Sequence, residues 1–159
     1  MSIEKNKALV RRYFEEAPYN IEICDQIFAP QVFWHALNHS SDPDFISDPQ
    51  AEKTAYTKHK TLWGGWSESI DEMIAEGDRV MVRWTFRGMH QGEYLGIPPT
   101  NKTVTFSGIY IFRIQDNHIG EVWNLWDQVG EWQQLGILPE TAEILYQIKD
   151  RGLSGAAKE

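Results

Sequence analysis

The chain has 159 residues, a formal net charge of −8 and an aromatic content of 13%, with seven tryptophans. This length suits one domain with a sizeable core, and the negative charge argues against nucleic acid or an anionic membrane surface as a partner. The single cysteine, Cys24, excludes an intrachain disulfide. Since no stretch resembles a secretory signal or a transmembrane helix, we expect a cytoplasmic protein.

The first third of the chain predicts two helices and a strand. Apolar residues recur at helical spacing over 3–16, and Asn20 is a suitable N-cap for a short second helix over 21–28. The apolar stretch 31–37 predicts a strand. The following stretch, 38–50, is rich in Ser, Asp and Pro, which is typical of a loop.

The next part of the chain predicts a third helix, after which apolar residues recur at every second position. Asp48 and Pro49 suit the start of a helix that runs to about Trp63 and ends at Gly64-Gly65. From Glu68 onward, apolar residues alternate with polar ones, which predicts antiparallel strands. The expected strands cover 68–76, 79–90, 103–114 and 118–127, with helices after them at 128–135 and 140–149.

This order of elements predicts an α+β fold, with helices packed on one face of a curved, mostly antiparallel sheet. We assign residues 1–150 to one domain and 151–159 to a disordered tail. Several strands are apolar on both faces; for example, Met81 and Ile109 lie opposite Val82 and Tyr110. Because the helices can cover only one face, we expect a homodimer through the outer face.

The stretch 87–136 resembles the SnoaL-like polyketide cyclases, also called ester cyclases, of the nuclear-transport-factor-like superfamily. The resemblance rests on "RGMHQGEYLGIPPTNKTVTFSGIYIFRIQDNHIGEVWNLWD" and the "QQLG" that follows. It implies a cone-shaped sheet around a deep apolar pocket, usually in a dimer. It also implies aldol ring closure of a polyketide ester without a cofactor, with an aspartate as the acid or base.

Asp127 is the aspartate that this resemblance singles out, and two roles remain open for it. It can cap the helix that begins near Val129, or it can transfer protons from the end of an aromatic strand face. A turn at 116–117 pairs Asp127 with Phe106 across the strands, which would set the carboxylate in an aromatic wall. Burial there would raise its pKa toward values useful for proton transfer.

Two histidines are further catalytic candidates, with ordinary structural roles as the alternative. His90 lies at the end of a strand, on the same face as Trp84 and Phe86, and within the quoted motif. His35 would face the pocket if Phe33 also points inward, whereas the opposite register would bury Trp34 instead. Either histidine could polarise a carbonyl oxygen.

The remaining candidates would contact the ligand. The same strand pairing opposes Trp123 to Tyr110 and Glu121 to Phe112, although Glu121 also suits a structural carboxylate. Core packing is the alternative for each aromatic residue, but together they suggest a small, hydrophobic, flat or polycyclic ligand. The expected ligand-binding residues are Trp63, Trp84, Tyr110, Trp123 and Glu121.

The histidines have no metal-ligand spacing, so we expect neither a metal nor a cofactor. The sequence thus predicts a cofactor-independent acid/base enzyme acting on an apolar carbonyl compound by cyclisation, isomerisation or dehydration. The alternative is a non-catalytic module of the same fold that binds a hydrophobic ligand or dimerises.

Overall fold

The computed structural model describes residues 2–37, 44–94 and 96–150. A single 3₁₀ turn, Ile21–Ile23, leads directly into α2. The other elements, in chain order, are α1 Ile3–Glu15, α2 Cys24–Ile27, β1 Phe28–Ala36, β2 Asp44–Ser47, α3 Pro49–Leu62, β3 Trp63–Glu76, β4 Arg79–His90, β5 Thr103–Gln115, β6 His118–Trp126, α4 Gln128–Leu135 and α5 Thr141–Asp150.

The strands form one curved, unclosed sheet in the order β2-β1-β6-β5-β4-β3. Neighbouring strands run antiparallel except β1 and β6, which are parallel; the long stretch of chain between these two strands permits this arrangement. The predicted α+β class with a cone-shaped, mostly antiparallel sheet is therefore confirmed. One expected loop was wrong in part: residues 44–47 form the edge strand β2, while 38–43 lie outside the described residues.

Local signals account for most of the element boundaries. The Asp48 side chain accepts a hydrogen bond from the backbone N–H of Ala51 at 2.8 Å, which caps α3 as predicted. Gly136 ends α4 with a left-handed φ of 83°. The expected stop at Gly64-Gly65 was wrong, since α3 ends at Leu62 and both glycines lie inside β3.

The hairpin between β5 and β6 contains a β-bulge that the sequence analysis missed. Ile114 pairs with Ile119, but Arg113 pairs with Glu121, so Gly120 is an extra residue on β6. Beyond the bulge, Tyr110 pairs with Asn124. Because successive side chains alternate between faces, this shift of one residue reverses the expected orientation of the rest of β6.

The core lies between the inner face of the sheet and the helices. The apolar face of α1 buries Val10, Tyr13 and Phe14, and the Tyr13 ring lies 5.2 Å from that of Phe112 on β5. By contrast, no residue of α5 is buried. The assignment of 1–150 to one domain stays a prediction, and the expected tail, 151–159, lies outside the described residues.

Within the described ranges, no helix is long and apolar enough to cross a membrane. The cytoplasmic location stays a prediction.

Candidate functional site

A cavity of about 450 Å³ lies between the inner face of the sheet, α1 and α3, with β2 at one side. Its walls are mainly aromatic and apolar, and they contain a small number of polar groups. The lining residues are Tyr13, Trp34, Ala36, Phe45, Ile46, Ser47, Ala51, Glu52, Ala55, Tyr56, His59, Trp66, Glu68, Tyr110, Asn124 and Trp126.

Glu68 is the carboxylic acid with the largest perturbation in this cavity. It lies on β3 between Trp66 and Ile70, which share its inward face, and it pairs with Phe86 on β4. Burial raises its pKa from 4.5 to about 7, because the aromatic walls disfavour the ionised form. A carboxyl group with this pKa can both accept and release a proton near neutral pH.

Glu52 is the second carboxylic acid of the cavity, and it is held by a hydrogen bond. The Trp34 indole N–H donates to Glu52 Oε1 at 2.8 Å, and Phe45 of β2 stacks on Trp34. Burial raises the pKa of Glu52, although hydrogen bonds from Ser47 and Trp34 partly offset this effect. Glu52 therefore links α3 to β1 and contributes to the wall near β2.

Three tyrosines lie along one side of the cavity. The Tyr56 hydroxyl donates to the backbone oxygen of Tyr13 at 3.2 Å. Burial raises the pKa of Tyr13, Tyr56 and Tyr110, and the nearby Glu68 carboxylate adds to the effect in all three. The three hydroxyls thus remain protonated at neutral pH and are hydrogen-bond donors.

His59 is the only basic side chain among the described lining residues, and it is neutral at physiological pH. Its ring packs edge-on against Trp66 at 4.6 Å, and burial lowers its pKa to about 4. In residues 2–37, 44–94 and 96–150, no group of three or more His, Cys, Asp and Glu could hold a metal ion. The titratable groups of the described wall are therefore two carboxyl groups, three tyrosine hydroxyls and one neutral imidazole.

Asp127 lies outside the cavity, so its expected place in an aromatic wall was wrong. The side chain is exposed, and its Oδ1 accepts a hydrogen bond from the backbone N–H of Gly130 at 2.9 Å. It is thus the N-cap of α4, the other of its two predicted roles. Its backbone bonds to Ser107 rather than facing Phe106, because of the bulge at Gly120.

His35, Glu121 and Trp123 lie together on the outer face of the sheet, so their expected positions in the pocket were wrong. The His35 ring lies 2.9 Å from both the Glu121 and the Asp44 carboxylates and stacks on Trp123 at 5.1 Å. Partial burial lowers the pKa of His35, but these two hydrogen bonds outweigh it and raise the pKa overall. Arg113 also donates to Glu121, so the group is an ion-pair network on the surface.

His90, Trp63 and Trp84 are buried in the core but do not line the cavity. His90 Nδ1 accepts a hydrogen bond from the backbone N–H of Thr100 at 3.2 Å, and burial lowers the pKa of His90. Trp84 stacks on Tyr110 at 5.2 Å. Tyr110 is therefore the one sequence-predicted site residue that lines this cavity.

The residues that were missed carried recognisable signals in two places. Trp66, Glu68 and Ile70 alternate, so a strand beginning before Glu68 would have revealed an inward acid. On α3, Glu52, Tyr56 and His59 are spaced four and three residues apart, which sets them on one face. A glycine inside a strand, Gly120, indicates a bulge, but no local pattern determines its effect on the orientation of Asn124 and Trp126.

Comparisons with known proteins agree with this architecture. No curated protein matches the chain significantly. Among solved structures, TsrD from Streptomyces laurentii is 23% identical over 87% of this chain and 99% of its own, with a TM-score of 0.73. A candidate polyketide cyclase from Acidithiobacillus ferrooxidans is 26% identical over 86% of this chain and 99% of its own, with a TM-score of 0.71.

IdmH from Streptomyces antibioticus, also a candidate polyketide cyclase, is 23% identical over 82% of this chain and 98% of its own, with a TM-score of 0.69. The model of the SnoaL-like polyketide cyclase family matches residues 8–135, well over half of the chain. The chain belongs to the SnoaL-like polyketide cyclase family.

Proposed function

We propose that the protein is a cofactor-independent acid/base enzyme that acts on an apolar, carbonyl-bearing metabolite, with Glu68 as the proton-transfer group. The observation that carries this proposal is the position of the Glu68 carboxyl group inside an aromatic cavity, where burial raises its pKa to about 7. A general base or acid is most effective when its pKa lies near the working pH. Asp127, an exposed helix cap, offers no comparable environment.

The reaction that suits the family is an intramolecular aldol closure. The Glu68 carboxylate would take a proton from a carbon next to a carbonyl group, and the C–H electron pair would pass into an enolate. The enolate carbon would then form a bond to a second carbonyl carbon of the same molecule. The new alkoxide would receive the proton back from Glu68, so that atoms and charge balance. Isomerisation or dehydration would use the same proton transfers.

The first half-reaction can be tested without the natural substrate. 2-Acetylnaphthalene is flat, apolar and carries exchangeable methyl protons next to a carbonyl group. In D₂O near neutral pH, we expect the protein to accelerate the loss of the methyl proton signal in NMR spectra. Glu68→Gln keeps the shape of the side chain and should slow this exchange by about 10²–10⁴-fold.

Asp127→Asn is the matched control, because asparagine also caps helices well. We expect this variant to exchange protons at the wild-type rate. Exchange that depends on Asp127 and not on Glu68 would reject our assignment and favour the role that the family resemblance implies. Binding of the ketone without any accelerated exchange would favour the non-catalytic binding module.

We also propose that the protein forms a homodimer through the outer face of the sheet. This face exposes large apolar side chains that a monomer would leave in water: Phe33, Ile74, Met89, Ile109 and Leu125. Burying them against a second copy would give a favourable hydrophobic contribution. Light scattering at micromolar concentration should give the mass of two chains, and a monomer there would contradict the proposal.

A further inference from the structure

Asn124 occupies a place in the cavity wall where an apolar side chain would be expected. The bulge at Gly120 turns it to the inner face of β6, where it pairs with Tyr110 on β5. Both residues line the cavity, together with Trp34 and Trp126. A primary amide gains little from aromatic neighbours, so this position requires a separate explanation.

The amide of Asn124 has no hydrogen-bond partner among the described residues. Its Oδ1 is buried and unpaired, so no acceptor or donor in the described part of the chain holds the amide in one orientation, and rotation of the side chain can present the Nδ2 donor to a ligand. The backbone, by contrast, is satisfied, because the N–H of Leu37 donates to the Asn124 carbonyl oxygen at 2.9 Å. Buried polar side chains are nearly always hydrogen-bonded, and an exception inside a cavity points to a ligand group.

We infer that Asn124 is a specificity-determining residue whose Nδ2–H donates a hydrogen bond to a carbonyl oxygen of the ligand. The choice of a carbonyl compound rests on the proposed function. Two other polar groups of the wall are already bonded within the protein: Glu52 accepts from Trp34, and the Tyr56 hydroxyl donates to the backbone oxygen of Tyr13. Asn124 therefore provides a donor that no protein group competes for.

The test compares two ligands of nearly equal shape. 2-Acetylnaphthalene carries a carbonyl oxygen, and 2-isopropenylnaphthalene carries a methylene group in the same position. The wild-type protein should bind the ketone about five- to tenfold more tightly in a fluorescence or calorimetric titration, the effect of one hydrogen bond. Asn124→Leu has a similar volume without the donor. It should abolish this preference while the hydrocarbon binds at least as tightly as before.

Asp127→Asn is the control, because this side chain lies outside the cavity, and it should keep the preference for the ketone. Tyr110→Phe removes the competing hydroxyl donor of the cavity wall, on the cross-strand neighbour of Asn124, and so distinguishes the two donors. The inference is overturned if Asn124→Leu keeps the preference, if Tyr110→Phe loses it instead, or if the wild-type protein binds both ligands equally or neither.

If Asn124→Leu does not fold, Asn124→Asp serves instead, because it keeps the shape of the side chain and replaces the amide donor by a carboxylate acceptor; it should also lose the preference. The titrations measure equilibrium affinities, which do not depend on proton exchange. Failure of exchange with an intact ketone preference would reject the proposed function and leave the role of Asn124 standing. Accelerated proton exchange without a preference for the ketone would support the proposed function and reject the role of Asn124.

Discussion

Replacing Glu68 with glutamine should change how the stability of the fold depends on pH. Burial raises the pKa of this carboxyl group from 4.5 to about 7 in the folded protein, whereas in the unfolded chain it titrates near its ordinary value. Between these two pH values the folded state binds more protons than the unfolded state. Stability due to Glu68 therefore falls as the pH rises from about 4.5 to about 7 and is constant above that.

The size of this effect follows from the two pKa values. A change from 4.5 to about 7, at ~1.4 kcal/mol for each pH unit, corresponds to roughly 3 kcal/mol. Because Glu68 is partly exposed, solvent screening makes this an upper bound. Glu68→Gln removes the ionisable group. Between acid and neutral pH, the free energy of unfolding of the variant should therefore rise relative to that of the wild-type protein by up to this amount.

Urea denaturation of both proteins at a series of pH values from about 4 to about 8 measures this difference. The difference between variant and wild type isolates Glu68, since all other titrating groups are common to both proteins. Parallel curves across the whole range would mean that Glu68 titrates at its ordinary pKa. That result would refute the argument that the cavity desolvates it, and the proposed role in catalysis with it.

Substitutions at three other positions test other parts of the structure. Asp127→Ala should lower the free energy of unfolding by about 1 kcal/mol through loss of the helix cap, whereas Asp127→Asn should stay near wild type in urea denaturation; equal losses would contradict the capping role. His35→Gln should remove the part of the stability that the wild-type protein loses as the pH rises above 6.5 through the raised pKa of His35; unchanged pH dependence would count against its two carboxylate partners. Gly108→Ala would set a Cβ 2.7 Å from the backbone oxygen of Leu125 and against Trp84, so thermal denaturation should show a loss of about 1–3 kcal/mol, and a neutral effect would contradict this close packing.

The elements of the fold could be predicted from the sequence because local rules determine them. The N-cap at Asp48 and the turn at Asp116-Asn117 both lie where the sequence indicates them. The alternation in β4 and β5 also predicts correctly which side chains face the core. These signals depend on residues close together in the chain, so long-range packing does not override them.

The candidate site could be predicted only in small part, because it depends on strand register. One extra residue at Gly120 reverses the faces of β6, so Trp123 and Glu121 point outward while Asn124 and Trp126 point into the cavity. The family motif identifies this strand correctly but does not determine which of its faces is inward. Glu68 lies on another strand, outside the motif, and its proposed role rests on burial that only the assembled structure provides.

The charges in the cavity wall restrict the ligand further. Among the described lining residues there are two carboxylic acids, Glu52 and Glu68, but no lysine or arginine. The one histidine, His59, has a pKa of about 4 and is uncharged near neutral pH. An anionic ligand would thus meet carboxylates in a desolvated space without a cation to balance it, which is costly. An ester or ketone carries no such cost and presents the acidic C–H bond that a carboxylate base requires.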